Sequence, residues 1–496
     1  MNRLTEPLSR PAHRPGSLGA LSVCVTSTRW YLTRLDRLRW TIWLCGGMAS
    51  GPGRNPISAS FYLQDDNTLW LHGRKNIYIT TLMIRIITGI VDVMKIAFIV
   101  SQFPTISETF IVQQITGLLE MGHSVQIVSF RDSHPTPIQK EVQEYNLIAK
   151  TVYVCVPDNK MQLRFRGFIC LLECLLRNPR ATLNLLSYFR KIKCFRYLDL
   201  FLARFFLRNS IDIIHAHFGP NGLQSLCTKW MGIHSRHITS FHGYDVSVYI
   251  QQNGPRVYEQ LFSFGDRFTY NSQATKDKLV SLGCPLHKMI KLPMGINLKA
   301  IPFKERTLLP GEKIRLLSVG RLVEMKGREY AIKAIAQIKG KYNIHYDIVG
   351  DGPLRDDLTK MVTDLGLDDI IQFRGWTDSE TLEMLYSQAH LFIHPSITSS
   401  DGNQEGQGVV FIEAQAYGIP VIATRHGAFP DSLLDGQSGF LVPEKDVEAL
   451  ADKIEFLIKN PQLWPQLGRT GRRFVEEQFD AAILNKKLEE IYTELL

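Results

Sequence analysis

Several features that would place this chain in a specialised class are missing. No run of about eighteen uncharged apolar residues occurs, so no membrane-spanning helix is expected. The best candidate stretch, residues 86–100, is interrupted by Asp92 and Lys95. Cysteine is sparse: eight in 496 residues, with no C-x-x-C and no histidine at metal spacing beside them. That argues against a disulfide framework and a zinc site, and for reduced thiols in a cytoplasmic protein. No short-period repeat is seen. A dinucleotide fingerprint is lacking too, since Gly350, Asp351 and Gly352 do not keep the G-x-G-x-x-G spacing. The net charge of +9 is modest for this length. Nucleic acid is therefore not an expected partner.

The charge is unevenly placed. Residues 1–93 carry eleven Lys/Arg against five Asp/Glu, and residues 161–210 carry ten against two. The remainder is slightly acidic. Residues 161–210 are also rich in Phe and Leu, as in RFRGFICLLECLLRNPR. Such amphipathic helices either lie on an anionic membrane surface or pack a core with a basic outer face.

Residues 1–75 mix Pro, Gly, Ser and Arg with isolated tryptophans and show no steady period. We expect 1–93 to be an extension, unstructured or lying upstream of the native start. At Met94 the character changes: MKIAFIV reads as the first strand of an α/β domain. Strands are predicted at Lys95–Val100, Ser124–Phe130, Ile211–His217, His237–Phe241 and Arg267–Asn271, with helices between them. A helix is predicted from about Thr105, capped by Thr105 or Ser107, with Glu108 in its first turn. The proline-punctuated stretch 293–311 reads as a linker. A second alternating unit follows, with strands at Ile314–Val319, Ile344–Val349, Ile371–Phe373, Leu391–His394 and Val421–Thr424. The expectation is two doubly wound α/β domains, 94–292 and 312–479, facing a central cleft. A last helix is placed at 480–496.

Chemistry concentrates in EGQGVVFIEAQAYGIPVIAT, residues 405–424. Glu405 and Glu413 flank a glycine-rich helix start, where free N–H groups at Gly408, Val409 and Val410 can approach an anion. Arg321 and Lys326, in SVGRLVEMKG, follow a predicted strand. In an open α/β sheet that is where ligands bind, and both side chains can reach a diphosphate. His242 in FHGYD also follows a strand, as do His215 and His217 in HAHFGPNG; the latter pair is read as cleft lining. Trp376, after RG at a strand end, is either a stacking surface or core packing.

Together these segments resemble the retaining glycosyltransferases of the GT-B fold, family four. The resemblance rests on the E-x7-E segment with its G-x-P-V strand, on G-R-L-x-x-x-K-G, and on H-G-x-D. It covers residues 94–496 and is strongest over 320–442. The S-E-T-F ending of SQFPTISETF is similar to a branch that builds bacterial exopolysaccharides, including the colanic-acid type. The resemblance implies a GT-B architecture whose final helix crosses back to the first domain. It also implies a nucleoside-diphosphate sugar donor and a hexosyl transfer with retention to a glycan hydroxyl, on an acceptor expected to be lipid-linked. Arg321 and Lys326 would hold the diphosphate, Glu413 the ribose, and Glu405 and His242 the donor sugar, with Trp376 near the base. No cofactor or metal is expected, because the two cations are supplied and no D-x-D motif follows a strand in the usual place. Gln407 stands where many relatives carry an aromatic or small apolar residue, which leaves the sugar open. The expected place is cytoplasmic, peripheral on the inner face of the cytoplasmic membrane. A nucleotide-sugar epimerase, a sugar phosphorylase and a non-catalytic nucleotide-sugar-binding protein are the alternatives.

Overall fold

The structure is a computed structural model. It describes residues 93–496, apart from 106 and 134–137, together with the backbone of five antiparallel strands between Ala20 and Leu71. Otherwise, the expectation for residues 1–93 lies outside the described residues.

From Val93 onward the chain builds two parallel sheets. The first has seven strands. Numbered along the chain, they lie in the order 3-2-1-4-5-6-7, beginning with Lys95–Val100 as strand 1. The second has six in the order 3-2-1-4-5-6, beginning with Ile314–Val319. Every strand pair is parallel. Both orders reverse between strands 1 and 4, and a crevice opens at that switch point beyond the carboxyl ends. The predicted strands are present, with ends differing by a residue or two. Three short ones escaped prediction: Thr151–Tyr153, Met289–Lys291 and Gly439–Val442. All three are outer strands of three or four residues, too short to display a period.

The strands are apolar runs because both faces are covered. Lys95–Val100 is buried from its second residue on, and Leu391–His394 and Val421–Thr424 are buried throughout. Helices pack on each face around separate cores. The first helix starts later than expected, at Thr109, and Glu108 occupies its cap position without a side-chain cap bond. Neither Thr105 nor Ser107 caps it.

Residues Pro293–Ile296 lead from the first domain to the second, and the chain returns at Asp480. The two crossings run side by side: Ile296 N–H donates to Phe479 O (2.9 Å) and Ala481 N–H to Ile296 O (3.0 Å). Asp480 caps the helix Ala481–Leu495, accepting from Ala482 N–H at 2.9 Å. That helix packs on Thr109–Glu120 of the first domain, where Asn485 donates to Gln113 O (2.9 Å). Its Tyr492 reaches the first sheet through His215 (2.6 Å). Among the described residues, no helix is long and apolar enough to cross a membrane.

Candidate active site

The site in the second domain is assembled at the switch point of its sheet. Strand 1 ends at Val319 and delivers Arg321 and Lys326; strand 4 ends at His394 and delivers Ser396 and, further on, Glu405. Arg321 is exposed at the mouth, whereas Lys326 is buried on a short 3₁₀ turn, Glu324–Lys326. The Lys326 ammonium is paired with Glu405 Oε1. The other carboxylate oxygen accepts from Ser396 Oγ (2.6 Å) and bonds His394 Nε2 (2.9 Å). Burial alone would raise the Glu405 carboxyl; the Lys326 ammonium, followed by His394, outweighs it and holds the group well below its ordinary value. Burial lowers Lys326, and Glu405 partly restores it. His394 is lowered to about 4 by burial, so it is a neutral imidazole donating from Nε2–H. The backbone of Glu405 is held as well: its N–H donates to His426 Nε2 (2.9 Å), whose Nδ1 bonds Glu444 (2.6 Å).

Gly408 caps the helix Val409–Ala416 with φ +73°, and a Cβ there would strike the Phe411 ring. Only glycine combines that backbone with that contact. The first-turn amides, at Val409 and Val410, have no partner within the helix, which begins four residues after Glu405. Glu413 lies one turn further along this helix, on the same face as Val409. It accepts from Tyr386 OH (3.0 Å) and lines a cavity of about 190 Å³ between the domains. Burial raises the Glu413 carboxyl to about 7, and the Tyr386 hydroxyl opposes that. Thr109 and Gln113 of the first domain, with Asn297, Ser379 and Tyr386, share the lining. Trp376 is 41 % exposed, which removes the core-packing reading, and it does not line this cavity.

The first domain brings His242 to the same cleft. Asp245 fixes its turn by accepting from the N–H groups of His242 (3.0 Å), Gly243 (2.9 Å) and Gly219 (3.0 Å). The imidazole stacks on His217 (5.2 Å, 6°) and bonds it, Nε2 to Nδ1, at 3.0 Å. Phe110 and Phe218 flank it. Burial lowers His242 to about 3, so both rings are neutral and one donates to the other. His242 Nδ1 is buried without a partner. His215, by contrast, is satisfied at both nitrogens, by Tyr492 and by Ser240 (2.7 Å).

The domains meet where His242–Gly243 faces Glu405–Gly406. A Cβ on Gly406 would lie 1.7 Å from His242 O, so no other residue permits this approach. Asn271 Nδ2 ties the two loops, donating to His242 O (3.3 Å) and Gly406 O (3.1 Å). Gln407 is buried and turned away from the cleft. Its amide exchanges two hydrogen bonds with the backbone of Met294, each 2.8 Å. It clamps the interdomain connection. Glu108 lies close enough for the Arg321 charge to act on it; burial raises its carboxyl to about 7, opposed by Thr105 and Arg321.

Sequence reasoning missed His394, Ser396, His426 and Tyr386, which hold the two glutamates, and the pairing of His217 with His242. The signal available was position: His394, like His217, ends a fourth strand at a switch point.

Two parallel α/β domains with polar side chains gathered at facing switch points define a GT-B glycosyltransferase architecture. Similarity to known proteins agrees. Residues 107–300 match the family described as Glycosyltransferase Family 4, and residues 301–474 match Glycosyl transferases group 1. A protein of Salmonella typhimurium named as the colanic acid biosynthesis glycosyltransferase WcaL is 32% identical over 409 residues, covering 80% of this chain and 98% of the relative. The amylovoran biosynthesis glycosyltransferase AmsK of Erwinia amylovora is 30% identical over 413 residues, covering 81% and 100%. Among solved structures, HepE of Anabaena in complex with UDP superposes with a TM-score of 0.62 at 18% identity, covering 81% of this chain and all of HepE. The chain belongs to this family of glycosyltransferases.

Proposed function

We propose that this chain is a retaining hexosyltransferase of exopolysaccharide biosynthesis. It moves a hexosyl unit from a nucleoside-diphosphate sugar to a hydroxyl of a lipid-linked glycan, at the cytoplasmic face of the membrane. The observation that carries the reading is the buried Lys326–Glu405 pair beside exposed Arg321 at the start of the helix Val409–Ala416. The names of WcaL and AmsK support the pathway class, and the UDP and glucose bound by HepE support the donor class.

The resting pair explains how the donor is received. An arriving diphosphate takes Lys326 and Arg321 as its cations, and the first-turn amides take the distal phosphate. Glu405, released from the ammonium, accepts a hydroxyl of the donor sugar. A charge-assisted hydrogen bond of that kind contributes roughly 1.5–3 kcal/mol. Ribose hydroxyls go to Glu413 in the interdomain cavity. His242 presents Nδ1 to the sugar from the opposite wall.

We assign Glu405 to holding the donor sugar and not to covalent attack, as the family resemblance implies. The reaction then runs on one face. The bond from the anomeric carbon to the phosphate oxygen breaks, and the acceptor oxygen bonds that carbon from the same side. The acceptor proton passes to the departing phosphate. Arg321 and Lys326 stabilise the charge that develops there, so no metal or cofactor is called for.

The test is incubation with UDP- and GDP-sugars and membrane-extracted acceptor, measuring free nucleoside diphosphate and the anomeric configuration of the product by NMR. Diphosphate release with an inverted product would remove retention. Conversion of the sugar without diphosphate release would point to an epimerase, and binding without any turnover to a non-catalytic protein.

A further inference from the structure

The basic stretch 161–210 resolves into three helices with different roles. Tyr197–Arg208 buries most of its apolar residues in the first domain's core, and Pro179–Lys191 buries one face there. The helix Lys160–Arg177 is different. Its core-facing positions are small: Gly167, Cys170 and Cys174. A Cβ on Gly167 would strike the Tyr197 ring, so the close packing is on this side. The opposite side carries Met161, Phe165, Phe168, Ile169, Leu172 and Leu176, exposed by 44–78 %. Positions 161, 165, 168, 172 and 176 recur at helical spacing and form one stripe. Contiguous apolar surface of this kind marks an interaction site on a folded protein.

The charges around the stripe identify the partner. Lys160, Arg164, Arg166 and Arg177 belong to the same helix, and Arg180 follows. The helix holds one acid, Glu173, which is already engaged by Arg177 (3.3 Å), Arg204 (2.8 Å) and Arg208. The face presented outward is therefore apolar along its centre and cationic at its margins.

We propose that the helix Lys160–Arg177 is an in-plane anchor that sinks its Phe/Leu stripe into an anionic lipid surface. This deepens the membrane part of the function proposed above, and it stands or falls separately from the chemistry. The interfacial position suits the sequence: the phenylalanines reach the acyl boundary while the arginines stay at the headgroups.

The experiment is flotation of the full chain with vesicles of about three parts phosphatidylglycerol to seven of phosphatidylethanolamine, against pure phosphatidylcholine. Strong binding to the anionic vesicles and weak binding to the neutral ones is expected. The triple variant Phe165→Ser, Phe168→Ser, Leu176→Ser should lose more than about tenfold in partitioning. The pair Arg164→Gln, Arg166→Gln should lose roughly fivefold per cation, and high salt should reproduce that loss. All these positions are exposed, so melting points should not change. Failure of the wild type to float with anionic vesicles overturns the proposal, as does unchanged binding of the triple variant. Light scattering supplies a further check: self-association in solution that the triple variant abolishes would show that a second copy covers the stripe, and would also overturn it. Nucleotide release, measured on the same variants with no vesicles present, reports separately on the function proposed above.

Discussion

Replacing Lys326 by Met tests the resting ion pair and the donor site together. The ammonium is buried against Glu405, and its loss leaves a mostly buried carboxylate with no cation. Breaking a buried pair from one side costs roughly 3–5 kcal/mol. The remaining bonds from Ser396 and His394 place this case near the lower figure. A domain of about 150–250 residues loses roughly 2–4 °C of melting temperature per kcal/mol, so the second domain should melt about 6–12 °C earlier. The double variant Lys326→Met, Glu405→Gln removes the orphaned charge and should recover most of that loss. The pH dependence should change sign as well. In the wild type Glu405 is depressed below its unfolded value, so its stabilisation is present above that value and lost as the pH falls. Without Lys326, burial raises the carboxyl instead. Its contribution is then present in acid and lost as the pH rises through the new folded value. Differential scanning calorimetry across a series from about pH 3.5 to pH 7.5 reads both effects. Donor turnover should be absent in the single and the double variant. A single variant that melts with the wild type refutes the pair, and turnover in the double variant refutes the role of Lys326 at the diphosphate.

Three other outcomes follow from the geometry. Nucleoside diphosphate should bind more tightly as the pH rises through about 7, by about tenfold between pH 6 and pH 8, because the ionised Glu413 accepts the ribose hydroxyls. Calorimetric titration of wild type and Glu413→Gln tests this; the component due to Glu413 should vanish in the variant. His217→Phe should lower kcat roughly fivefold, the weight of one net hydrogen bond to His242, with the donor KM little changed and rescue by His217→Asn. Gln407→Ala should cost roughly 2 kcal/mol in urea unfolding, from two lost bonds to Met294, and X-ray scattering should show a broader spread of domain openings.

The architecture was legible because the central strands of both sheets are covered on both faces. Continuous apolar runs such as MKIAFIV and PVIAT are hard to place anywhere but in a buried parallel strand. Edge strands of three residues carry no such mark, and Met289–Lys291 reads as a plain continuation of the loop before it. The first helix start was misplaced because Thr105, Ser107 and Glu108 satisfy the rules for a cap, yet the helix begins at Thr109 and Glu108 holds the cap position with no side-chain cap bond. Cap rules read only neighbours in sequence. Gln407 was misassigned for a related reason. Its neighbours in sequence meet Lys326 and the His242 turn, but on a tight loop successive side chains point to different walls, and its wall is the interdomain connection. The partners of Glu405 were out of reach of sequence reasoning, because Lys326, His394 and Ser396 converge only through strand order.

That convergence suggests how donor and domain closure are linked. Glu405 and Gly406 belong to one loop: the first holds the Lys326 ammonium, and the second accepts from Asn271 of the other domain and touches the turn that carries His242. Gln407, the next residue, holds the connection between the domains. A diphosphate that displaces Glu405 from Lys326 therefore acts on a segment whose next two residues set the domain contact. Nucleotide should thus narrow the spread of domain openings seen by X-ray scattering in the wild type. In Gln407→Ala it should bind at Lys326 as before while losing most of that narrowing. Equal narrowing in both proteins would show that the contact between the domains is set elsewhere.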